Sequence, residues 1–176
     1  MRTRRLLVAI TTGMLTLGIA LPASADTGIT PASITVLGGS LSITVPTSLV
    51  DLGSKANAVG GMTISGPLGQ VQVTDARSAV AGSGWVVSVI STAFTPPAGP
   101  AIAASAVSYN AGTITKTGTA TYTANNPGDL TGVCAAITAT GITGDNSATW
   151  SPTITVSVPG GMAAGVYAAT ITHSVV

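Results

Sequence analysis

The chain has 176 residues, with six Lys and Arg, five Asp, no Glu, one His and one Cys, for a net charge of +1. Charged residues make up 6 % of it, against about a quarter in ordinary soluble domains. This excludes the basic footprint of a nucleic-acid binder and a disulfide framework, which needs paired cysteines. It also leaves almost nothing from which to build a multi-His or multi-carboxylate metal or acid–base centre.

In chain order, residues 1–25 read as a signal peptide. Arg2, Arg4 and Arg5 form a cationic start, and residues 6–20 are apolar with a few Thr and Gly. That run is too short and too interrupted for a good membrane span. Ala23, Ser24 and Ala25 form a small-x-small cleavage site. Export with cleavage is expected, leaving residues 26–176 as one domain with no membrane span. Removing 25 of the 176 residues leaves 151, with Lys55, Arg77 and Lys116 against five aspartates, a net charge of −2.

Mean hydropathy is +0.58, which argues against disorder. The 22 Gly and 10 Pro fall between segments rich in Thr and Val, both β-branched and stiff at χ1. Period-two patterning predicts strands over residues 33–37, 41–45, 62–65, 70–75, 85–93, 104–109, 113–123, 132–140, 148–158 and 165–175. Turns are expected at 38–39, 66–67, 96–100, 125–129, 144–146 and 159–161. About ten short strands with frequent turns predict an all-β fold, a single antiparallel β-sandwich. Residues 85–93 are apolar on both faces, as in a central strand. Trp150, Ile154, Val156 and Val158 share one face of residues 148–158, where Pro152 predicts an edge strand or a bulge. In the last strand Tyr167, Ala169, Ile171, His173 and Val175 share a face.

Two stretches bear a resemblance. The first holds Val71, Val73, Asp75 and Arg77, then Gly82, Gly84 and Trp85-Val86-Val87. The second holds Val158-Pro159, then Ala164-Gly165, Tyr167, Ile171 and His173-Ser174-Val175. Order and spacing resemble the WxL domain, a secreted cell-wall-binding domain of Gram-positive bacteria, over most of residues 41–176. The sequence departs from that pattern at Val87 and Val175, which replace the leucines, and at His173, which replaces the second tryptophan. The resemblance implies an extracellular β-sandwich that attaches non-covalently to peptidoglycan.

The candidate ligand-binding residues are Trp85, Trp150, Asp75, Arg77 and His173. Trp85 either stacks on a sugar face or anchors the core, where Val87 and Val89 share its face. Trp150, beside a turn, is the better candidate for an exposed ring. Tyr109 and Tyr122 read as amphipathic rim residues. Asp75 and Arg77, two apart on one strand face, form either an ordinary ion pair or a reader of a charged wall group. His173 is either a pH-sensitive contact or ligand, or, as is commoner for a lone histidine on an apolar strand face, a packed, hydrogen-bonded residue; without a Cys or second His as partner it is not expected to bind zinc. Cys134 reads as a buried thiol; the alternatives are a nucleophile, for which His173 alone could serve as base, and an intermolecular disulfide. The oxygen-rich stretches 125–129 and 144–146 read as turns rather than calcium loops.

Taken together, these features predict a secreted, non-catalytic surface protein bound to peptidoglycan, without metal or cofactor. The alternative is a self-assembling or partner-binding subunit of a cell-surface complex that uses exposed β-edges.

Overall fold

A computed structural model describes residues 28–176. The leader reading, residues 1–25, lies outside the described residues. The described residues fall into two units, one ending at Thr35 and the other Val36–Val176. In the first, described residues 28–35 carry neither strand nor helix.

The second unit is all-β. Its strands are β1 (Leu41–Thr44), β2 (Met62–Pro67), β3 (Val71–Ser91), β4 (Val107–Asn110), β5 (Thr115–Ala124), β6 (Cys134–Trp150), β7 (Thr153–Val158) and β8 (Ile171–Val175). Every pairing is antiparallel. One sheet runs β1-β3-β6-β5, with β8 also on β3; the other runs β2-β7-β4. Because β3 is long, β1 pairs with its first part (Gln72–Asp75) and β8 with its last (Val87–Ser91).

Alternation explains the faces. Val71, Val73 and Asp75 are buried while Gln72 and Thr74 are exposed. Ile154, Val156 and Val158 are buried on β7. Residues of both sheets, including Val73, Val87 and Ile137 from the first and Val107 and Ile154 from the second, join one hydrophobic cluster. Burying each large aliphatic contributes about 1.5–3 kcal/mol.

Several boundaries differ from the expected ones. Residues 33–37 form no strand. The expected strands 70–75 and 85–93 are parts of a single 21-residue strand. Residues 132–140 and the start of 148–158 join as the 17-residue β6. Gly144, expected in a turn, and Gly82 and Gly141 sit inside these ladders at left-handed φ, Gly82 at 90°, Gly141 at 63° and Gly144 at 71°. They serve as bulges, where an extra residue bends a strand without ending it. Pro152 marks neither an edge strand nor a bulge. The chain leaves the first sheet after Trp150 and enters the second at Thr153, where β7 is the central strand. Proline fits at this crossing because it has no N–H to offer a ladder. Residues 104–106 form a 3₁₀ turn ahead of β4, and of residues 165–175 only β8 is strand.

Candidate functional site

The β3–β6 ladder is irregular between Asp75 and Trp85. Asp75 lies opposite Asn146, whereas Trp85 lies opposite Ala139, seven residues further along β6. In a straight ladder seven residues span about 23 Å. Yet the Trp85 indole N–H donates to Asn146 Oδ1 at 3.0 Å. The bulged residues 76–84 and 140–145 are therefore bent into an arch whose two ends meet at Asn146.

Four side chains converge there. Asn146 Nδ2 donates to Asp75 Oδ2 at 3.1 Å, and Asn146 Oδ1 accepts from Trp85 and from the Tyr122 hydroxyl at 3.3 Å. Arg77 grips Asp75 with both ends of its fork, Nε to Oδ1 at 2.8 Å and Nη2 to Oδ2 at 3.0 Å. Such bidentate pairs are the strong form of this interaction. Arg77 Nη2 also reaches the Gly84 carbonyl at 3.3 Å, across the mouth of the arch. The Trp85 and Tyr122 rings lie 5.5 Å apart at a 52° tilt, and Lys116 Nζ stands 5.9 Å from the Tyr122 centroid.

Burial divides the pair. Asp75 is 1 % exposed, while the Arg77 side chain is 38 % exposed. The Arg77 guanidinium holds the Asp75 carboxyl below its usual range, with burial working against it. Burial, helped by the Asp75 charge, pushes the Tyr122 phenol up.

Gly118 makes room for this cluster. It sits at a β5 irregularity with φ +85°, and a Cβ there would lie 2.5 Å from the Asp145 carbonyl oxygen and 3.0 Å from Asn146 Cα. Gly118→Ala is expected to cost about 2 kcal/mol, from left-handed backbone strain plus a backbone collision. Gly82→Ala, at φ +90° in open space, should cost about 1 kcal/mol from strain alone. Urea unfolding of both variants checks the difference.

A second cluster joins the two sheets. Trp150 Nε1 donates to the Tyr109 hydroxyl at 2.7 Å, and His173 Nε2 lies 3.3 Å from the same oxygen. The Tyr109 and His173 rings meet edge-on at 5.6 Å. Burial pushes the Tyr109 phenol up to about 12, with the Trp150 bond working the other way. Burial brings the His173 imidazole down to about 4.

Of the sequence candidates, Asp75, Arg77 and Trp85 belong to the first cluster, and Trp150 and His173 to the second. Trp150, expected as an exposed ring, is 2 % exposed, as is Trp85. Neither presents a face for sugar stacking. Tyr109, expected at the rim, is 1 % exposed, because β4 turns it inward against β6. Cys134 is half-buried, with Sγ 3.3 Å from the Asp129 carbonyl oxygen. In the oxygen-rich stretches, Asp129 accepts from the Thr131 N–H, Asn126 from the Ala111 N–H and Asp145 from the Ser78 N–H. The Asp129 carboxyl is held below its usual range by Thr131. Among the described residues no three of His, Cys, Asp and Glu come together. Among them, too, every buried side-chain nitrogen and oxygen has a partner.

Asn146 is the residue that sequence reasoning missed, since it was assigned to a turn. The signal was its phase: 146, 148 and 150 share one strand face, and Ala148 and Trp150 are core residues.

Both sheets turn hydroxyls outward. Across the first sheet, Ser42, Thr74, Ser147 and Thr117 stand in one cross-strand row, and Thr44, Gln72, Thr149 and Thr115 in the next. On the second, Ser65, Thr155 and Ser108 form a similar row.

No family model matches the chain, and no curated protein matches it either.

Proposed function

We propose that the two sheets stack as a β-sandwich and that the chain is a divergent WxL-like surface protein, exported and held non-covalently on peptidoglycan. The observation that carries this reading is a juxtaposition. The two stretches with W-x-L-like spacing, more than eighty residues apart in sequence, are hydrogen-bonded neighbours in one sheet, with Val87 opposite Val175 and Val89 opposite His173. Residues of both sheets in one hydrophobic cluster support the sandwich. The cationic leader and its cleavage site support export.

With Trp85 and Trp150 inside, wall contact falls to the outward Ser and Thr rows. Hydroxyls donate and accept without carrying charge, which suits a polymer of sugars and amides. The reading is non-catalytic. The His173 imidazole faces a phenol and, through it, an indole, and Asp75 is occupied by Arg77 and Asn146.

The mature protein should pellet with isolated peptidoglycan sacculi, and roughly equally at 0.05 and 0.5 M salt, because contacts between uncharged groups are not screened. Protein left in the supernatant beside a known wall binder that pellets would end the wall-binding reading.

A second reading, assembly with other copies, is favoured by β5. This ten-residue strand pairs with β6 on one side only among the described residues, and its single charge is Lys116. Open edges of this kind accept further strands. Light scattering that shows a strict monomer at high concentration would remove it.

A further inference from the structure

The final strand is one of three in its sheet, with β1 and β5, that pair on one side only. Within the sheet, β8 pairs with β3 alone, and the ladder extends at both ends through Thr92 N–H to Thr170 O and Val86 N–H to Val176 O. Ile171, His173 and Val175 point inward but stay half-buried. The inward polar contact of β8 is His173 with Tyr109 on the other sheet.

The direction of that contact follows from its neighbour. An indole N–H can only donate, so Tyr109 accepts from Trp150. A hydroxyl can accept twice, but the buried Tyr109 proton would then lack a partner; among the described residues His173 Nε2 is the acceptor within its reach, which selects the neutral imidazole with its proton on Nδ1. Trp150, Tyr109 and His173 form a donor chain linking β6, β4 and β8. The groups facing His173 are Tyr109 from β4, Trp150 behind it from β6 and Val89 from β3. Leu41 and Ile43 of β1, which also lies against β8, pack on the same core. Among the described residues no carboxylate bonds to the imidazole.

A proton on Nε2 removes the acceptor for the Tyr109 hydroxyl and places a charge with no counter-charge against the apolar interior, which is unfavourable unless the group reaches water. The short edge strand is the part that can move. We propose that β8 is an acid-released latch: protonation of His173 breaks the Trp150–Tyr109–His173 chain and frees the C-terminal strand from β3, while β3 and β6 stay paired.

Composition isolates the switch. With one His and no Glu in the chain, no other side chain has an ordinary titration midpoint between about pH 4.5 and 7. Burial keeps the docked imidazole near 4, whereas a solvated one titrates at about 6.5. The released strand therefore binds the proton more tightly, and acid shifts the equilibrium towards release.

The test is native-state hydrogen exchange by NMR, with protection factors compared at about pH 7 and pH 4.5. Protection of the β8 amides bonded to β3, and of Val86 and Thr92, should fall roughly 50-fold, the ratio set by midpoints of 4 and 6.5. Amides of β6 near Ala148 should keep theirs. His173→Phe, which cannot take up a proton, should abolish the pH dependence, and His173→Gln provides the same comparison if that variant does not fold. Loss of protection spreading equally to β6, or the same 50-fold fall in both variants, would overturn the latch.

Discussion

Trp85→Ala is expected to lower folding stability by about 3–5 kcal/mol, the usual cost of deleting a large buried aromatic. Trp85 is 2 % exposed, packs at 5.5 Å from Tyr122 and closes the mouth of the arch by its bond to Asn146. Deletion leaves a cavity and takes one of three partners from Asn146. Trp85→Phe separates the two effects. It restores much of the ring but not the N–H, and should cost about 1–2 kcal/mol. Urea unfolding followed by far-UV circular dichroism measures both. The alanine variant also leaves Trp150 as the one tryptophan, so its fluorescence reports on the second cluster alone. A loss below about 1 kcal/mol for Trp85→Ala would mean that the arch is held shut by other contacts. A domain of this size is stable by about 5–15 kcal/mol in all, so the alanine variant sits near the threshold of folding.

Arg77→Met is the second large effect, and it depends on pH. Removing the partner of a buried charge costs about 3–5 kcal/mol when both groups are desolvated. Arg77 is 38 % exposed, so solvent already screens part of the pair, and about 2–3 kcal/mol is expected at pH 7. The carboxylate left behind is 1 % exposed and retains the Asn146 amide and the backbone N–H of residue 77. In the parent protein the Asp75 carboxyl is depressed. Its stabilisation is present above the unfolded value of about 3.9 and is lost as pH falls through the folded one. In the variant, burial without the guanidinium raises that carboxyl, and protonation relieves the penalty. The difference between variant and parent should therefore shrink as pH drops below about 5, with the His173 contribution cancelling between them. Asp75→Asn combined with Arg77→Met should recover most of the loss, because no buried charge remains. A pH-independent difference under 0.5 kcal/mol would show that Asp75–Arg77 acts as an ordinary screened surface pair.

The two clusters show which parts of a sequence speak for themselves. Val71, Val73, Asp75 and Trp85, Val87, Val89 each keep a strict period of two, and the structure buries every one of them. Residues 33–37 alternate just as well yet form no strand, because alternation describes a face and not a partner. Gly82, Gly141 and Gly144 announce left-handed backbone in either case. Whether such a glycine ends a strand as a turn or bends it as a bulge depends on whether a neighbour continues the ladder on both sides.

Local residue chemistry determined that this is a Thr- and Val-rich all-β chain with apolar residues facing inward, since strand propensity and side-chain phase are properties of adjacent residues. Tertiary structure alone decided that Asp75 would meet Asn146 and that Trp85 would join them. It also decided that Tyr109 would link Trp150 to His173. These partners lie between 41 and 71 residues apart, and a hydrogen bond over that distance follows from strand register and from which strands the tertiary structure brings together, which no local pattern encodes.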